Sequence, residues 1–204
     1  MSNHSTADVP GFPVVALVTS AGGLNALCQV LSPLPADLPA AVVVVQHQQP
    51  DHTNHLTALL DRSTALTVTL ARENDTLTPG HVLVAPPGRH VLISAPARIG
   101  LIDSGAIPPA RPSADLLLAT LAVTCGPRAL AVVLTGRGTD AQAGIRAVAH
   151  YGGTVFAQDQ ASSAYGGMPA AAADTGLVQA VLPLPDLAAA ILAHVRDNRH
   201  LRRS

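Results

Sequence analysis

The chain has 204 residues, of which 48% are hydrophobic and only 2% aromatic, and its formal net charge is −1. This length suits one α/β domain whose core consists of Ala, Val, Leu and Ile rather than aromatic rings. The near-neutral charge and the scarcity of aromatic side chains exclude a nucleic-acid-binding protein that relies on phosphate contacts or on base stacking.

Short apolar runs alternate with helical patterns, which predicts an α/β fold with a doubly wound, mostly parallel sheet and helices on both faces. In chain order, the expected strands span residues 13–19, 40–46, 66–70, 129–134, 154–157 and 177–182. The expected helices span residues 22–31, 52–62, 113–125 and 141–150, with a last helix opened by Pro185 and Asp186. Ser113 is expected to cap the third of these helices. We find no linker and no repeat, so residues 1–204 are expected to form a single domain with its core at about 13–195.

Residues 79–102 differ from the rest of the chain. They contain three short extended runs, 81–85, 89–94 and 98–102, which proline and glycine residues separate. This pattern predicts an antiparallel β meander inserted into the otherwise parallel design.

Three polar residues follow the carboxyl ends of three predicted strands. Ser20 comes directly after the first strand, His47 after the second, and Asp140 after the strand that ends at residue 134. Ligands of doubly wound sheets bind at the carboxyl ends of the strands, so we expect these side chains at one rim. Such a trio can form a hydrolytic triad, because histidine accepts the serine proton and aspartate orients the imidazole ring.

The residues around this trio suit the same chemistry. Ala21 and Gly22 permit a sharp turn into a helix whose first amides would face a developing oxyanion. Gly138 would let a second loop bring main-chain amides close. Each residue of the trio also has a structural explanation, since Ser20 and Asp140 can be helix N-caps and His47 a hydrogen-bonded turn residue. From the residues alone, a hydrolase and a ligand-binding α/β domain both remain open.

These segments resemble motifs of the bacterial chemotaxis protein-glutamate methylesterases, the CheB family. Residues 20–23 resemble the family's Ser-(Thr or Ser)-Gly-Gly, and residues 46–50 resemble its Gln-His-Met-Pro with an altered interior. Residues 134–140 are similar to its Leu-Thr-Gly-Met-Gly-x-Asp. Residues 111–115 and 157–169 are similar to its Arg-Pro-Ser-Val-Asp segment and to its Ala-Gln-(Asn or Asp)-Glu-Ala-Ser and Gly-Met-Pro segments.

The resemblance implies roles for the trio and for the residues beside it. Ser20 would be the nucleophile, His47 the general base and acid, and Asp140 the orienting partner of the histidine. The implied oxyanion and support residues are Ala21, Gly22, Arg137 and Gly138. The implied reaction is hydrolysis of glutamate γ-methyl esters, with deamidation of glutamine as a related activity. The implied partner is a methylated chemoreceptor or a similar acidic helical protein, and no metal or organic cofactor is implied.

Several positions depart from the family pattern. Ala21 replaces a hydroxyl residue, Arg137 replaces methionine and Ala141 replaces glycine, while the loop after His47 has one extra residue. Ala141 would strain its turn if a positive φ is required there. These departures keep two alternatives open, namely a non-catalytic receptor-binding relic of the fold and a small-molecule esterase or amidase.

The remaining expectations concern location and domain content. Only about a dozen residues precede the first strand, so we expect none of the phospho-acceptor receiver domain that family members commonly carry. Cys28 and Cys125 lie in apolar stretches and suit a reducing compartment. The chain has no signal-peptide pattern and no apolar run of membrane length, so we expect a cytoplasmic protein that does not insert into membranes.

Overall fold

The computed structural model of the protein describes residues 9–47, 55–103 and 112–198. In chain order, its strands are β1 (Val14–Thr19), β2 (Ala41–Gln46), β3 (Thr67–Leu70), β4 (His81–Val84), β5 (Arg89–Ser94), β6 (Arg98–Asp103), β7 (Ala129–Val133), β8 (Thr154–Gln158) and β9 (Ala180–Leu182). Its helices are α1 (Gly23–Leu31), α2 (His55–Asp61), α3 (Ala114–Cys125), α4 (Gln142–His150), α5 (Gly167–Ala173) and α6 (Leu184–Asp197).

Seven strands form one parallel sheet in the order β3-β4-β2-β1-β7-β8-β9. The central strands β1 and β7 are buried along their whole length, because helices cover both faces of the sheet. Val14, Ala16 and Val18 face a cluster that includes α3 and α4, while Val15 and Leu17 face a cluster that includes α1 and α6. The predicted doubly wound, mostly parallel fold is therefore confirmed.

The antiparallel insert is smaller than the meander expected from the sequence. Strands β5 and β6 form a two-stranded antiparallel sheet, which confirms the last two runs. The first run was wrongly assigned to the insert, because β4 pairs in parallel with β2 and β3 in the main sheet. Val82, Leu83 and Val84 are all buried, as both faces of an interior parallel strand require.

Other elements differ from the sequence predictions in length or existence. Strand β9 covers only the last half of the run 177–182, and α2 begins at His55, while residues 52–54 lie outside the described part of the chain. Helix α5 was not predicted, because seven residues rich in alanine are too few to show a helical period. Cys125 is fully buried, and burial raises the pKa of its thiol to about 12, as expected for a core cysteine.

The strand register brings three loops together at one edge of the sheet. Thr19 pairs with Gln46 across β1 and β2, and Val18 pairs with Val133 across β1 and β7. The residues that follow these strands therefore lie side by side, with the end of β1 in the middle. None of the described helices is both long enough and apolar enough to span a membrane.

Candidate active site

Ser20 lies in a tight turn between β1 and α1. Its amide donates to Thr135 O at 3.1 Å, and its carbonyl oxygen accepts from Gly23 N at 3.1 Å. Gly22 has φ 79°, a left-handed conformation that glycine adopts without a steric penalty, and α1 begins at the next residue. The half-buried Ser20 therefore sits at the start of a helix, where free amide groups point outward.

The loop after β7 packs directly against the Ser20 turn. At Gly136, an added Cβ atom would lie 2.9 Å from Ser20 Cβ and 2.4 Å from Met168 Sδ. Gly136 N donates to Tyr165 O, and Gly136 O accepts from Met168 N, each at 2.9 Å. A larger residue at Gly136 would therefore separate the Ser20 turn from the start of α5.

Thr135 connects the loops beside Ser20. Its hydroxyl oxygen lies 3.2 Å from the carbonyl oxygens of both Ala21 and Tyr165, and it accepts Tyr165 N–H at 2.9 Å. Its amide donates to the side chain of Gln158 at 2.8 Å in a buried position. Because buried polar groups that are fully paired fix geometry, Thr135 holds the turn and the neighbouring loop in one arrangement.

His47 and Asp140 form a direct pair at the same edge. His47 Nε2 lies 2.8 Å from Asp140 Oδ2, and the two side chains are only 15% and 11% exposed. An ionised carboxylate only accepts hydrogen bonds, so the ring donates from Nε2, and Nδ1 is the acceptor of the neutral imidazole in this arrangement. His47 N also donates to Thr19 O at 3.1 Å, which holds the ring beside the end of β1.

The start of α3 surrounds the Asp140 carboxylate. Ala114 N donates to Oδ2 at 2.7 Å, Asp115 N donates to Oδ1 at 3.0 Å, and the Ser113 hydroxyl lies 3.3 Å from Oδ1. Burial by itself raises the pKa of Asp140, but the hydrogen bond from His47 and the two amides outweigh it and hold this pKa below its ordinary value. Asp140 is therefore an anion at neutral pH, stabilised by a helix N-terminus.

Several main-chain amides at this edge have no acceptor. Within the described residues, the amides of Ala21, Gly22 and Arg137 donate to no protein oxygen. Gly138, with φ 89°, allows the loop that carries Arg137 to turn beside Ser20. Unpaired N–H groups next to a serine hydroxyl can bind an oxyanion of the substrate.

The Arg137 side chain is exposed and lies over the ring of Tyr165, with Cζ 4.5 Å from the ring centroid. Among the residues that the structure describes, no carboxylate pairs with Arg137. The stacking restrains the guanidinium at the rim of the site and leaves its hydrogen-bond donors available.

The predicted trio is brought to one edge, but only His47 and Asp140 are joined by a hydrogen bond among the described residues. His47 and Asp140 are hydrogen-bonded, whereas the Ser20 hydroxyl makes no hydrogen bond to another residue in the described ranges. The catalytic roles of all three residues thus stay a prediction. Ala141 has φ 106°, so the expected strain after Asp140 is present. The motif positions in 48–50 and Arg111 lie outside the described residues.

Sequence reasoning missed how Asp140 is held. The prediction that Ser113 caps α3 is confirmed, since Leu116 N donates to Ser113 Oγ. The same helix start also binds Asp140, which no spacing in the sequence indicates, because the residues are far apart along the chain. No cluster of three or more metal-ligating side chains occurs in the described part of the chain.

The parallel sheet, with polar residues gathered at the carboxyl ends of its central strands, defines an α/β domain of the kind that ester hydrolases use. A family model described as CheB methylesterase matches residues 15–191 of the chain. The chain therefore belongs to the CheB methylesterase family.

Similar proteins agree with this assignment. A protein-glutamate methylesterase/protein-glutamine glutaminase of Moorella thermoacetica is 46% identical over 190 residues, which cover 91% of this chain and 45% of the relative. The protein-glutamate methylesterase FrzG of Myxococcus xanthus is 38% identical, over 91% of this chain and 56% of that protein. The chain thus spans about half the length of these curated relatives.

A solved structure shares the fold. The crystal structure of the Thermotoga maritima CheB methylesterase catalytic domain superimposes with a TM-score of 0.86 at 33% sequence identity. The match covers 90% of this chain and 99% of the crystallised domain.

Proposed function

We propose that the protein hydrolyses glutamate γ-methyl esters on the cytoplasmic helices of methylated chemoreceptors, with Ser20, His47 and Asp140 as its catalytic triad. The observation that carries this proposal is the 2.8 Å His47–Asp140 hydrogen bond at the strand ends that flank Ser20. The names of the relatives from Moorella thermoacetica and Myxococcus xanthus support the same reaction.

In the proposed reaction, Ser20 Oγ attacks the ester carbonyl carbon while its proton moves to His47 Nδ1. Asp140 stabilises the imidazolium that forms, because the carboxylate is ionised and held by α3. The carbonyl oxygen becomes an oxyanion, which the free amides of Arg137, Ala21 or Gly22 bind.

The intermediate then collapses, the ester C–O bond breaks, and methanol leaves with the proton from His47. A water molecule attacks the resulting acyl-serine, with His47 again accepting a proton and returning it to Ser20 Oγ. The products are a glutamate carboxylate, a proton released to solvent, methanol and free enzyme. Deamidation of glutamine follows the same route with ammonia as the leaving group.

An acidic helical surface fits the rim of this site as a substrate. Arg137 lies in the loop that packs on Ser20 and offers an exposed guanidinium without a carboxylate partner among the described residues. Carboxylates that flank a methylated glutamate would pair with this cation and orient the ester toward Ser20.

The decisive experiment replaces the nucleophile. Ser20→Ala is expected to lower methanol release from a methylated receptor by at least about 10³-fold, because the oxyanion amides alone supply only the residual catalysis. Ser32→Ala is the matched control, since Ser32 is exposed at the other end of α1. Full activity in folded Ser20→Ala protein would sink the proposal.

The wild-type and Ser20→Ala proteins also distinguish the proposal from its two alternatives, a receptor-binding relic and a small-molecule esterase or amidase. The free Ser20 hydroxyl and the strained Ala141 favour a relic that binds receptor peptides, and such a protein would bind them without methanol release or fluorophosphonate labelling of Ser20. A small-molecule esterase would turn over free short-chain esters faster than the methylated receptor. We expect the wild-type protein to label at Ser20 and to prefer the receptor.

A further inference from the structure

Helices α3 and α4 begin next to each other, and an aspartate at each start binds amides of the other helix. Asp140, which precedes α4, accepts from Ala114 N and Asp115 N of α3 at 2.7 and 3.0 Å. Asp115, in the first turn of α3, accepts from Ala141 N and Gly144 N of α4 at 3.0 and 2.8 Å. First-turn amides of each helix are therefore bound by the carboxylate that lies at the start of the other helix.

Helix α4 lacks a cap of its own. Ala141 occupies its N-cap position, where it has no side-chain acceptor, and φ at this residue is 106°. A left-handed alanine costs roughly 1–2 kcal/mol, so surrounding contacts must hold this conformation. The bond from Ala141 N to Asp115 is such a contact, and Ala141 is the residue directly after Asp140.

The packing of α3 on α4 leaves little freedom around Asp115. A Cβ atom added to Gly144 would lie 2.4 Å from Leu118 Cβ and 3.2 Å from Asp115 Cα. The two carboxylates also lie near each other despite their like charge. Burial raises the pKa of Asp115, the amide of Gly144 opposes the shift, and the charge of Asp140 adds to it.

We propose that Asp115 is a positioning residue that fixes the Asp140 carboxylate against His47 by holding the first amides of α4. This inference rests on the proposed function, in which Asp140 orients His47. Asp115 reaches the reacting atoms only through Asp140, since its carboxylate binds Ala141 and Gly144 rather than the histidine.

Two substitutions test the hydrogen bonds separately from the charge. Asp115→Ala removes the acceptor and is expected to lower kcat for methanol release by about 10–100-fold with little change in KM, because a misplaced catalytic group slows the chemical step. Asp115→Asn is expected to regain most of kcat, because both bonds fall on Oδ1 and an amide oxygen accepts them equally.

A double-mutant cycle tests whether Asp115 acts through Asp140. In an Asp140→Ala background, Asp115→Ala is expected to cause no further loss of kcat. Asp186→Ala is the matched control, because Asp186 is an exposed acid in the first turn of α6. An equal loss of kcat in both backgrounds, or unchanged kcat in folded Asp115→Ala protein, would overturn the proposal.

A second measurement does not depend on turnover. Nitrogen-15 NMR of the His47 ring should show the proton on Nε2 in the wild-type protein and a mixture of both tautomers in Asp115→Ala, with Asp115→Asn close to wild type. If Asp115→Ala fails to fold, Asp115→Ser replaces it, because a hydroxyl is too short to hold both amides. A wild type that releases no methanol defeats the proposed function, whereas an unchanged tautomer in Asp115→Ala, or in Asp115→Ser where that replaces it, defeats this inference.

Discussion

Asp140 and Ser20 lie at the same edge of the sheet, but their surroundings differ. We call His47, Asp140 and the start of α3 the acid half of the site, and Ser20, Ala21, Gly22 and Arg137 the nucleophile half. In the acid half, both oxygens of the Asp140 carboxylate accept hydrogen bonds, from His47, Ala114 N and Asp115 N. In the nucleophile half, the Ser20 hydroxyl and three main-chain amides have no partner within the described residues.

This difference matches the roles that the two halves would have. Groups that must keep one orientation gain from being paired before the substrate arrives, because no reorganisation is then needed during the reaction. Groups that must bind the substrate need free donors and acceptors. The acid half is thus complete in the protein itself, whereas the nucleophile half would be completed by the ester.

The largest expected effect comes from breaking the acid half. Asp140→Asn should lower kcat for methanol release by about 10⁴-fold, because an amide cannot accept on both sides and would select the wrong histidine tautomer. The α3 amide that then faces the asparagine NH2 group should also cost about 1–3 kcal/mol of unfolding free energy. Kinetics and denaturant unfolding measure the two effects, and near-normal kcat would show that Asp140 does not orient His47.

A smaller effect is expected in the nucleophile half. Arg137→Gln keeps a main-chain amide but removes the rim cation, so kcat/KM for a methylated peptide with acidic flanks should fall about tenfold. A peptide with neutral flanks should lose much less, and added salt should reduce the difference between the peptides. Equal losses for both peptides would mean that the guanidinium does not recognise substrate charge.

Acid should remove the stability that the acid half gains from the ionised Asp140 carboxylate. The pKa of Asp140 in the folded protein lies below its unfolded value, so its contribution to stability is present above about pH 4 and is lost as pH falls through the folded value. Unfolding free energies of wild type and Asp140→Asn should therefore converge below about pH 4. A stability difference that stays constant down to the lowest pH would contradict the assigned shift.

The smallest effect concerns the strained residue that joins the acid half to α4. Ala141→Gly relieves the positive φ of 106° but adds backbone freedom to the unfolded chain, so the net gain should be about 0.5–1 kcal/mol. Thermal unfolding measures this gain in stability. Ala143→Gly in α4 is the matched substitution, and it should destabilise the protein. A loss of stability in Ala141→Gly would show that the turn is not strained.

Much of the fold follows from local pattern. The buried valine runs of β1 and β2 and the capped start of α3 are visible in the sequence, because burial on both faces and N-cap chemistry act over a few residues. The prediction that strand β4 belongs to the antiparallel insert was wrong, because the proline and glycine residues after it resemble a hairpin connection. Its partners β2 and β3 are chosen by the packing of the whole sheet, which no local pattern encodes.

The positions of Ser20, His47 and Asp140 after strands were readable from the sequence, since parallel strands bring their carboxyl ends to one edge. The sequence also indicated that Ala141 would be strained if its turn required a positive φ. Only the tertiary structure decided that His47 binds Asp140, that Arg137 stacks on Tyr165, and that Asp115 and Asp140 each bind amides at the start of the other's helix. These contacts join residues distant along the chain, and their geometry depends on how whole helices pack against the sheet.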